Sequence, residues 1–230
     1  MKNICSFSLI IFLIAFFSGC ASTKPQPPIS YDETKIDPRV SKIGIASTAI
    51  PNPNTSFPGA ACLLCIAAAE LTNVKLTDHV KTLPIEDLNE IAGIIHDRMQ
   101  KRGLNVIRIN KMIDHKDFPV VKERKVDFAV RDYSRLKNEY AVDKILIISI
   151  LGANVIRNYS GYFPSSPPKV AVYGEGVIIN LADGSLEWFL PINITRGVIG
   201  EWDEPPSFPG LTNAYFEAIE VTKDAFIKPF

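Results

Sequence analysis

The sequence predicts one α/β domain: a mixed sheet that opens with a parallel βαβ unit and ends in an antiparallel meander, with helices packed on the sheet. Three observations predict it. Two short apolar segments, 42–46 and 104–109, flank a long segment of helical period, and strand, helix, strand with a short return makes the two strands parallel. Residues 145–151 form a continuous apolar run rich in β-branched side chains, the pattern of a central strand covered on both faces. Residues 170–181 and 186–195 then alternate about Asp183-Gly184, a hairpin signal.

Taken in order, the first strand is followed by turn material in Pro51-Asn52-Pro53-Asn54. Residues 60–69 carry no charge until Glu70. A helix apolar all round has to bury its surface in its own domain, in a partner or in lipid. Such a stretch is too short to span a bilayer, which needs about 20 residues. A βα connection usually takes about 2–6 residues, and the gap before the next helix is far longer. Residues 57–83 therefore read as an apolar insert that carries function, with Phe57, Leu63, Leu64 and Ile66 as a partner surface. Tyr159, Tyr162 and Phe163, in the loop over 158–168, extend it.

The spacing predicts a helix over 84–102, where Leu88, Ile91, Ala92, Ile95 and Met99 share one face. Pro84 suits its first turn, Glu86, Asp87 and Glu90 complement its positive end, and Lys101-Arg102-Gly103 closes it. Residues 111–127 are charged and lack a period. Residues 128–140 carry a weaker helical pattern through Val130, Tyr133, Leu136 and Tyr140. Gly174-Glu175-Gly176, inside a strand, marks a bulge or a bend. In the last strand Trp188, Leu190, Ile192 and Ile194 share a face. After a Pro-rich loop over 204–210, Leu211, Ala214, Tyr215, Ala218, Ala225 and Phe226 keep helical spacing and predict a closing helix docked on the sheet.

The N-terminus has another character. Lys2, an apolar run over 9–17 and the small residues Ser18-Gly19 form a secretory-signal pattern, too short for a permanent span. Phe17-Ser18-Gly19-Cys20 resembles the lipobox of bacterial lipoproteins. That resemblance implies cleavage before Cys20, which then receives a diacylglyceryl group and an N-acyl chain. Residues 1–19 would be the signal peptide and Cys20 the lipid anchor. At about 0.8 kcal/mol per buried CH₂, three chains hold a membrane almost irreversibly. Ala21 after the cysteine implies, by the family's sorting rule, the outer membrane with the domain facing the periplasm. Residues 20–40, with Lys24-Pro25-Gln26-Pro27-Pro28, read as the anchor and a stiff tether, leaving 41–230 as the domain.

Lysine plus arginine equals aspartate plus glutamate, 25 each, so no net field attracts nucleic acid. Cys5 leaves with the signal and Cys20 carries lipid. Cys62 and Cys65 remain as a pair in an oxidising compartment. Their spacing admits a structural disulfide, two buried thiols or a redox centre, and the redox reading lacks a strand directly before the motif. His79, His96 and His115 each neighbour an aspartate without metal-ligand spacing and read as surface residues. There is no nucleophile elbow, phosphate loop or dinucleotide fingerprint. No metal, cofactor or catalytic residue is assigned.

A lipobox, a Pro-rich tether, an amphipathic helix ending in Lys-Arg-Gly-Leu-Asn-Val-Ile, an Ile-rich strand and a hairpin from Val177 through Asp183-Gly184 to Trp188 together resemble small envelope lipoproteins. Their domain is similar to that of CsgG, the curli secretion lipoprotein, and to the amino-terminal domain of TolB. The resemblance implies envelope assembly or secretion and no catalytic residue. The expectation is a non-catalytic, lipid-anchored binding or assembly component of a cell-envelope or secretion complex. Other envelope proteins, or copies of itself, would be its partners. A thiol-redox or hydrolytic envelope enzyme and a subunit of an oligomeric outer-membrane pore stand as alternatives.

Overall fold

The computed structural model describes residues 25–35 and 41–230; the signal segment and Cys20 lie outside the described residues. In chain order the elements are β1 (Ile43–Ser47), β2 (Thr55–Ser56), α1 (Leu63–Thr72), α2 (Val74–Val80), α3 (Glu86–Asn89), α4 (Ile91–Lys101), β3 (Val106–Arg108), α5 (Arg135–Tyr140), β4 (Lys144–Ile156), β5 (Tyr159–Ser160), β6 (Phe163–Pro164), β7 (Lys169–Asn180), β8 (Leu186–Gly197) and α6 (Pro209–Ile227).

The main sheet runs β3-β1-β4-β7-β8, with β2 alongside the far part of β4. β1 is parallel to β3, with Ile43 opposite Val106, and to β4, with Ile43 opposite Lys144. The β4–β7 and β7–β8 pairs are antiparallel. The mixed α/β sheet is thus the one the pattern predicts, with β4 at its centre. β1, β3 and β4 all begin at what we term the lower end, beside the β7–β8 turn. β2, β5 and β6 lie at the upper end.

Alternation sends successive β4 side chains to opposite faces. Leu146, Ile148 and Ile150 face a core shared with Ile91, Ile95 and Met99 of α4 and with Leu211, Tyr215 and Phe226 of α6. Ile145 and Ile147 face a second core built from Ile109, Ile113, Phe118, Tyr133 and Leu136. Both faces are covered, which is why the run needs no polar alternation. Each fully buried Ile or Leu there contributes roughly 1.5–3 kcal/mol.

Several expectations change in the fold. The helix predicted over 84–102 is two, α3 and α4, because the Glu90 N–H turns to the Leu88 carbonyl. The buried stripe Leu88, Ile91, Ala92, Ile95, Met99 continues across the break. Residues 128–140 are helical only from Arg135. Ala129 N–H donates to the Gly184 carbonyl, and Phe128 bridges Ser185, so the β7–β8 turn captures that backbone. The extra residue of the bulge is on β4, between Ile150 and Gly152, and Gly174 marks it from the facing strand, where Ile150 pairs with Gly174 and Gly152 with Tyr173; a second register shift, between Ile178 and Ile179, falls in the β7–β8 pair. Gly176 answers a close approach: a Cβ there would lie 2.4 Å from Cη2 of Trp188 and 3.1 Å from Phe226.

Residues 25–35 do not hang free. Ile29 bridges Phe189 on the outer edge of β8, Gln26 pairs with Asp127, Tyr31 packs on Phe230 at 4.6 Å, and Glu33 pairs with Arg102. The Pro-rich stretch therefore closes an edge strand and is part of the domain. The 57–83 insert divides as well. Leu76 and Val80 of α2, with Leu83, are buried in the main core, while α1 stays outside it.

Candidate functional site

At the upper end, β4 passes into a small ladder in which Tyr159 pairs with Pro164 and Ser160 with Phe163. The 57–60 turn locks against it. Tyr159 N–H donates to the Pro58 carbonyl at 2.7 Å. Gly59 adopts φ +90°, and a Cβ there would stand 1.9 Å from the Tyr159 carbonyl oxygen, so only glycine fits.

α1 is seated on this platform by its small residues. Cys65 and Ala69 bury against Ala60 and Tyr159, with Phe57 beside them. The seat is pinned by a polar spine. Asn73, 2% exposed, donates through Nδ2 to the Tyr159 hydroxyl at 2.6 Å and to the Ala69 carbonyl at 2.7 Å. Its Oδ1 accepts from Arg157 at 2.7 Å, and that guanidinium lies 4.5 Å over the Trp202 ring.

The outward side of α1 has no cover among the described residues. Leu63 is 88% exposed, Leu64 72%, Leu71 76% and, on the neighbouring ladder, Phe163 75%. Ile66 and Tyr162 are also exposed. Exposed apolar side chains gathered at one end of a folded domain make a candidate interaction surface. Leu63, Leu64 and Ile66 of α1 and Tyr162 and Phe163 of the ladder are thus all exposed, and the two segments meet where Cys62 approaches Tyr162. Tyr159 is a correction: at 6% exposure it is a pillar beneath the tip, because its ring fills the seat of α1 and its hydroxyl serves Asn73. Phe57 is half-buried, edge-on to Tyr159. Along one flank of α1 and α2 runs a groove of about 660 Å³, lined by Ile66, Glu70, Val74, Thr77, Asp78 and Lys81.

Cys62 and Cys65 are joined in a disulfide. Cys62 is the N-cap of α1 and exposed to solvent, whereas Cys65 is 5% exposed. The Cys62 sulfur accepts from the Cys65 backbone N–H at 2.9 Å, and the Tyr162 hydroxyl oxygen lies 3.8 Å from it.

The histidines are not uniformly surface residues. His115 belongs to the 109–134 cover segment and points inward, with one ring nitrogen 2.6 Å from the Tyr133 hydroxyl and the other 2.9 Å from Ser149 Oγ on β4. No spacing rule joins positions so far apart, so only the fold reveals this network. His96 contacts the neighbouring Asp97 at 2.9 Å, although adjacent helical side chains ordinarily diverge. The Ser149–His115 pair has the atoms of a nucleophile and base, but Ser149 is 2% exposed and beyond the reach of a substrate. It acts as a clamp between cover and sheet. A cavity of about 720 Å³ between that cover and the β7–β8 turn is lined by Phe128, Arg131, Tyr133, Asn180 and Asp183.

Burial, then Arg131, holds the His115 pKa below its ordinary value, against the pull of Asp114; burial also pushes the nearby Glu175 carboxyl up and Tyr133 to about 12. A histidine with a depressed folded pKa contributes stability that is complete above about pH 6.5 and is lost as pH falls through the folded pKa. Glu175 works in the opposite sense, losing its contribution as pH rises through its folded pKa. Melting curves from pH 8 to 5 are expected to fall more for the parent than for His115→Gln; parallel curves would remove the histidine from the balance.

Among the described residues no helix is long and apolar enough to cross a membrane, and no three His, Cys, Asp or Glu side chains cluster to hold a metal. No protein-family model and no curated protein matches the chain. Solved structures do. A PelC dodecamer from Paraburkholderia phytofirmans is 10% identical, with 85% of this chain and 91% of that one covered and a TM-score of 0.27. Lipoprotein GNA1162 from Neisseria meningitidis is 12% identical over 79% and 96%, with a TM-score of 0.27. A Xanthomonas campestris protein of the DUF330 family is 12% identical over 88% and 90%, with a TM-score of 0.35. At these identities and scores none of the three assigns a function to this chain.

Proposed function

We propose that the chain is a lipid-anchored, periplasm-facing component of a cell-envelope or secretion complex that works by binding, with the upper apolar tip as its docking surface. The observation that carries this reading is the exposure of Leu63, Leu64, Leu71 and Phe163 on one rigidly seated patch. The partner is another envelope protein or a second copy of the chain. The lipobox at Cys20 supplies the anchor and the outer membrane its place.

The docked N-terminal segment makes the arrangement more definite. Gln26 is held at Asp127, at the lower end of the sheet, and stands six positions after Cys20 in the sequence. Even fully extended, that stretch reaches only about 20 Å. The thirteen residues of β4 rise about 40 Å from there to the tip. With the strands upright, the tip faces away from the anchoring leaflet, which suits a partner better than the lipid beneath.

The test pairs two variants. Leu64→Asp with Leu71→Asp alters exposed side chains and is expected to leave melting within about 0.5 kcal/mol of the parent, while crosslinked species in intact cells disappear. Cys20→Ser is expected to lose fatty-acid labelling and the membrane fraction. Undiminished crosslinking in the Asp variant would remove the tip from the function, and labelled Cys20→Ser would remove the anchor.

A further inference from the structure

We propose that Cys62–Cys65 is a thiol–disulfide exchange centre that captures and oxidises cysteine-bearing apolar polypeptides docked on the tip. The substrate assignment rests on the docking surface above. The exchange centre stands on separate observations.

The first is asymmetry. Cys62 is open to solvent at the start of α1, and Cys65 is 5% exposed beneath it. An incoming thiolate can reach only one sulfur, and the other is placed to leave. The second is convergence of donors. The Cys65 backbone N–H donates to the Cys62 sulfur at 2.9 Å, the Tyr162 hydroxyl stands 3.8 Å from it, within reach of donating to a thiolate there, and the sulfur lies at the positive end of a ten-residue helix. In the reduced state the same three features favour a Cys62 thiolate, the form that reacts. The Tyr162 contact matters most here, because it comes from a different element, one hundred residues away in sequence.

The third observation is that the bridge has little structural work to do. A disulfide stabilises by closing loops, and three residues of separation close almost none. α1 is already held by Ala69, Tyr159 and Asn73. The surroundings also select a substrate. Leu63 and Leu64 sit inside the motif itself and Phe163 next to Tyr162, all exposed, and the first turn of α1 carries no acidic side chain. An extended apolar segment laid over them would bring its own cysteine to Cys62.

The chemistry balances without another reagent for one turnover. A substrate thiolate attacks Cys62 Sγ, the Cys62–Cys65 bond breaks, and the electron pair leaves on Cys65, which takes a proton from water. A mixed disulfide now joins Cys62 to the substrate. A second substrate thiol, having given its proton to water, attacks the substrate sulfur of that bond and releases Cys62 as a thiolate. The substrate is oxidised by two electrons and the protein pair is reduced.

The experiment uses the full chain and two synthetic dithiol peptides that differ only in having leucine and phenylalanine or serine and asparagine around the cysteines. The oxidised protein is expected to convert the apolar peptide to its disulfide in a one-to-one burst, about threefold to tenfold faster than the polar one. In the reduced protein, iodoacetamide should label Cys62 with a midpoint about one pH unit below the ordinary thiol value near 8.5, and Tyr162→Phe should move that midpoint up. Cys65→Ser, given a single-cysteine apolar peptide as its glutathione mixed disulfide, should release glutathione and keep the peptide on Cys62. Slow reaction with both peptides and an unshifted midpoint would overturn the exchange centre and leave the tip untouched. Equal fast reaction with both peptides would overturn the substrate assignment and count against the tip as a docking surface.

Discussion

Phe226→Ala is expected to destabilise the domain by about 3–5 kcal/mol, the range for truncating a buried phenylalanine. Phe226 is fully buried in the last turns of α6. Its ring lies where Gly176 lets β7 come close, and a Cβ at Gly176 would be 3.1 Å from it. Trp188 and Phe230 meet edge-to-face in the same core, with ring centroids 5.1 Å apart. Neither the rigid indole nor the strand backbone can collapse into the space an alanine would leave, so the cavity persists and its cost adds to the lost transfer energy. For a domain of this size each kcal/mol moves the melting temperature by about 2–4 °C, so a drop of about 6–20 °C is expected. Phe216 on the same helix is 41% exposed and serves as control, with an expected cost under about 1 kcal/mol. Equal effects at the two positions would mean that α6 is peripheral to the sheet.

Lys144→Ala is expected to cost a similar amount, about 3–5 kcal/mol, for an electrostatic reason. The Lys144 ammonium is 2.5 Å from Glu187 Oε2, and the two side chains are only 8% and 16% exposed. Glu187 Oε1 accepts a longer bond, 3.3 Å, from Asn180. Lys144 starts β4 and Glu187 lies in β8, so the pair reaches across β7 at the lower end of the sheet. Truncating the lysine leaves a largely desolvated carboxylate without its cation, and that penalty is the main part of the loss. The pair itself need not be net stabilising. Lys144→Met combined with Glu187→Leu is therefore expected to recover most of the loss, measured as a change in urea midpoint at constant slope. A double variant as unstable as Lys144→Ala would show that the charges do more than offset each other.

The site shows where local pattern stops being informative. Leu63, Leu64 and Ile66 are conspicuous as an uncharged run, and Tyr162 and Phe163 as aromatics in a loop. That they share one surface follows only from the β5–β6 ladder and the 57–60 turn, which bring segments some hundred residues apart into contact. Tyr159 is indistinguishable from Tyr162 in sequence, because a loop composition carries no burial information. Asn73 and Arg157 give no local signal at all, since a single Asn or Arg means nothing until its partners are known. The same holds for His115, whose partners Tyr133 and Ser149 come from a cover segment and a central strand.

Hydrophobic period alone was enough for β4, α4, the β7–β8 hairpin and α6, and hence for a mixed α/β sheet with β4 at its centre. Each of these elements buries a face whose spacing only one backbone geometry can satisfy. Tertiary contacts settled the rest: that residues 25–35 close the β8 edge, that α2 joins the core while α1 does not, and that Phe128 and Ala129 follow the hairpin turn while residues 130–132 pair with 119–121. In those stretches several conformations bury comparable apolar surface, so the choice falls to the unpaired backbone groups and half-covered side chains of elements far away in sequence.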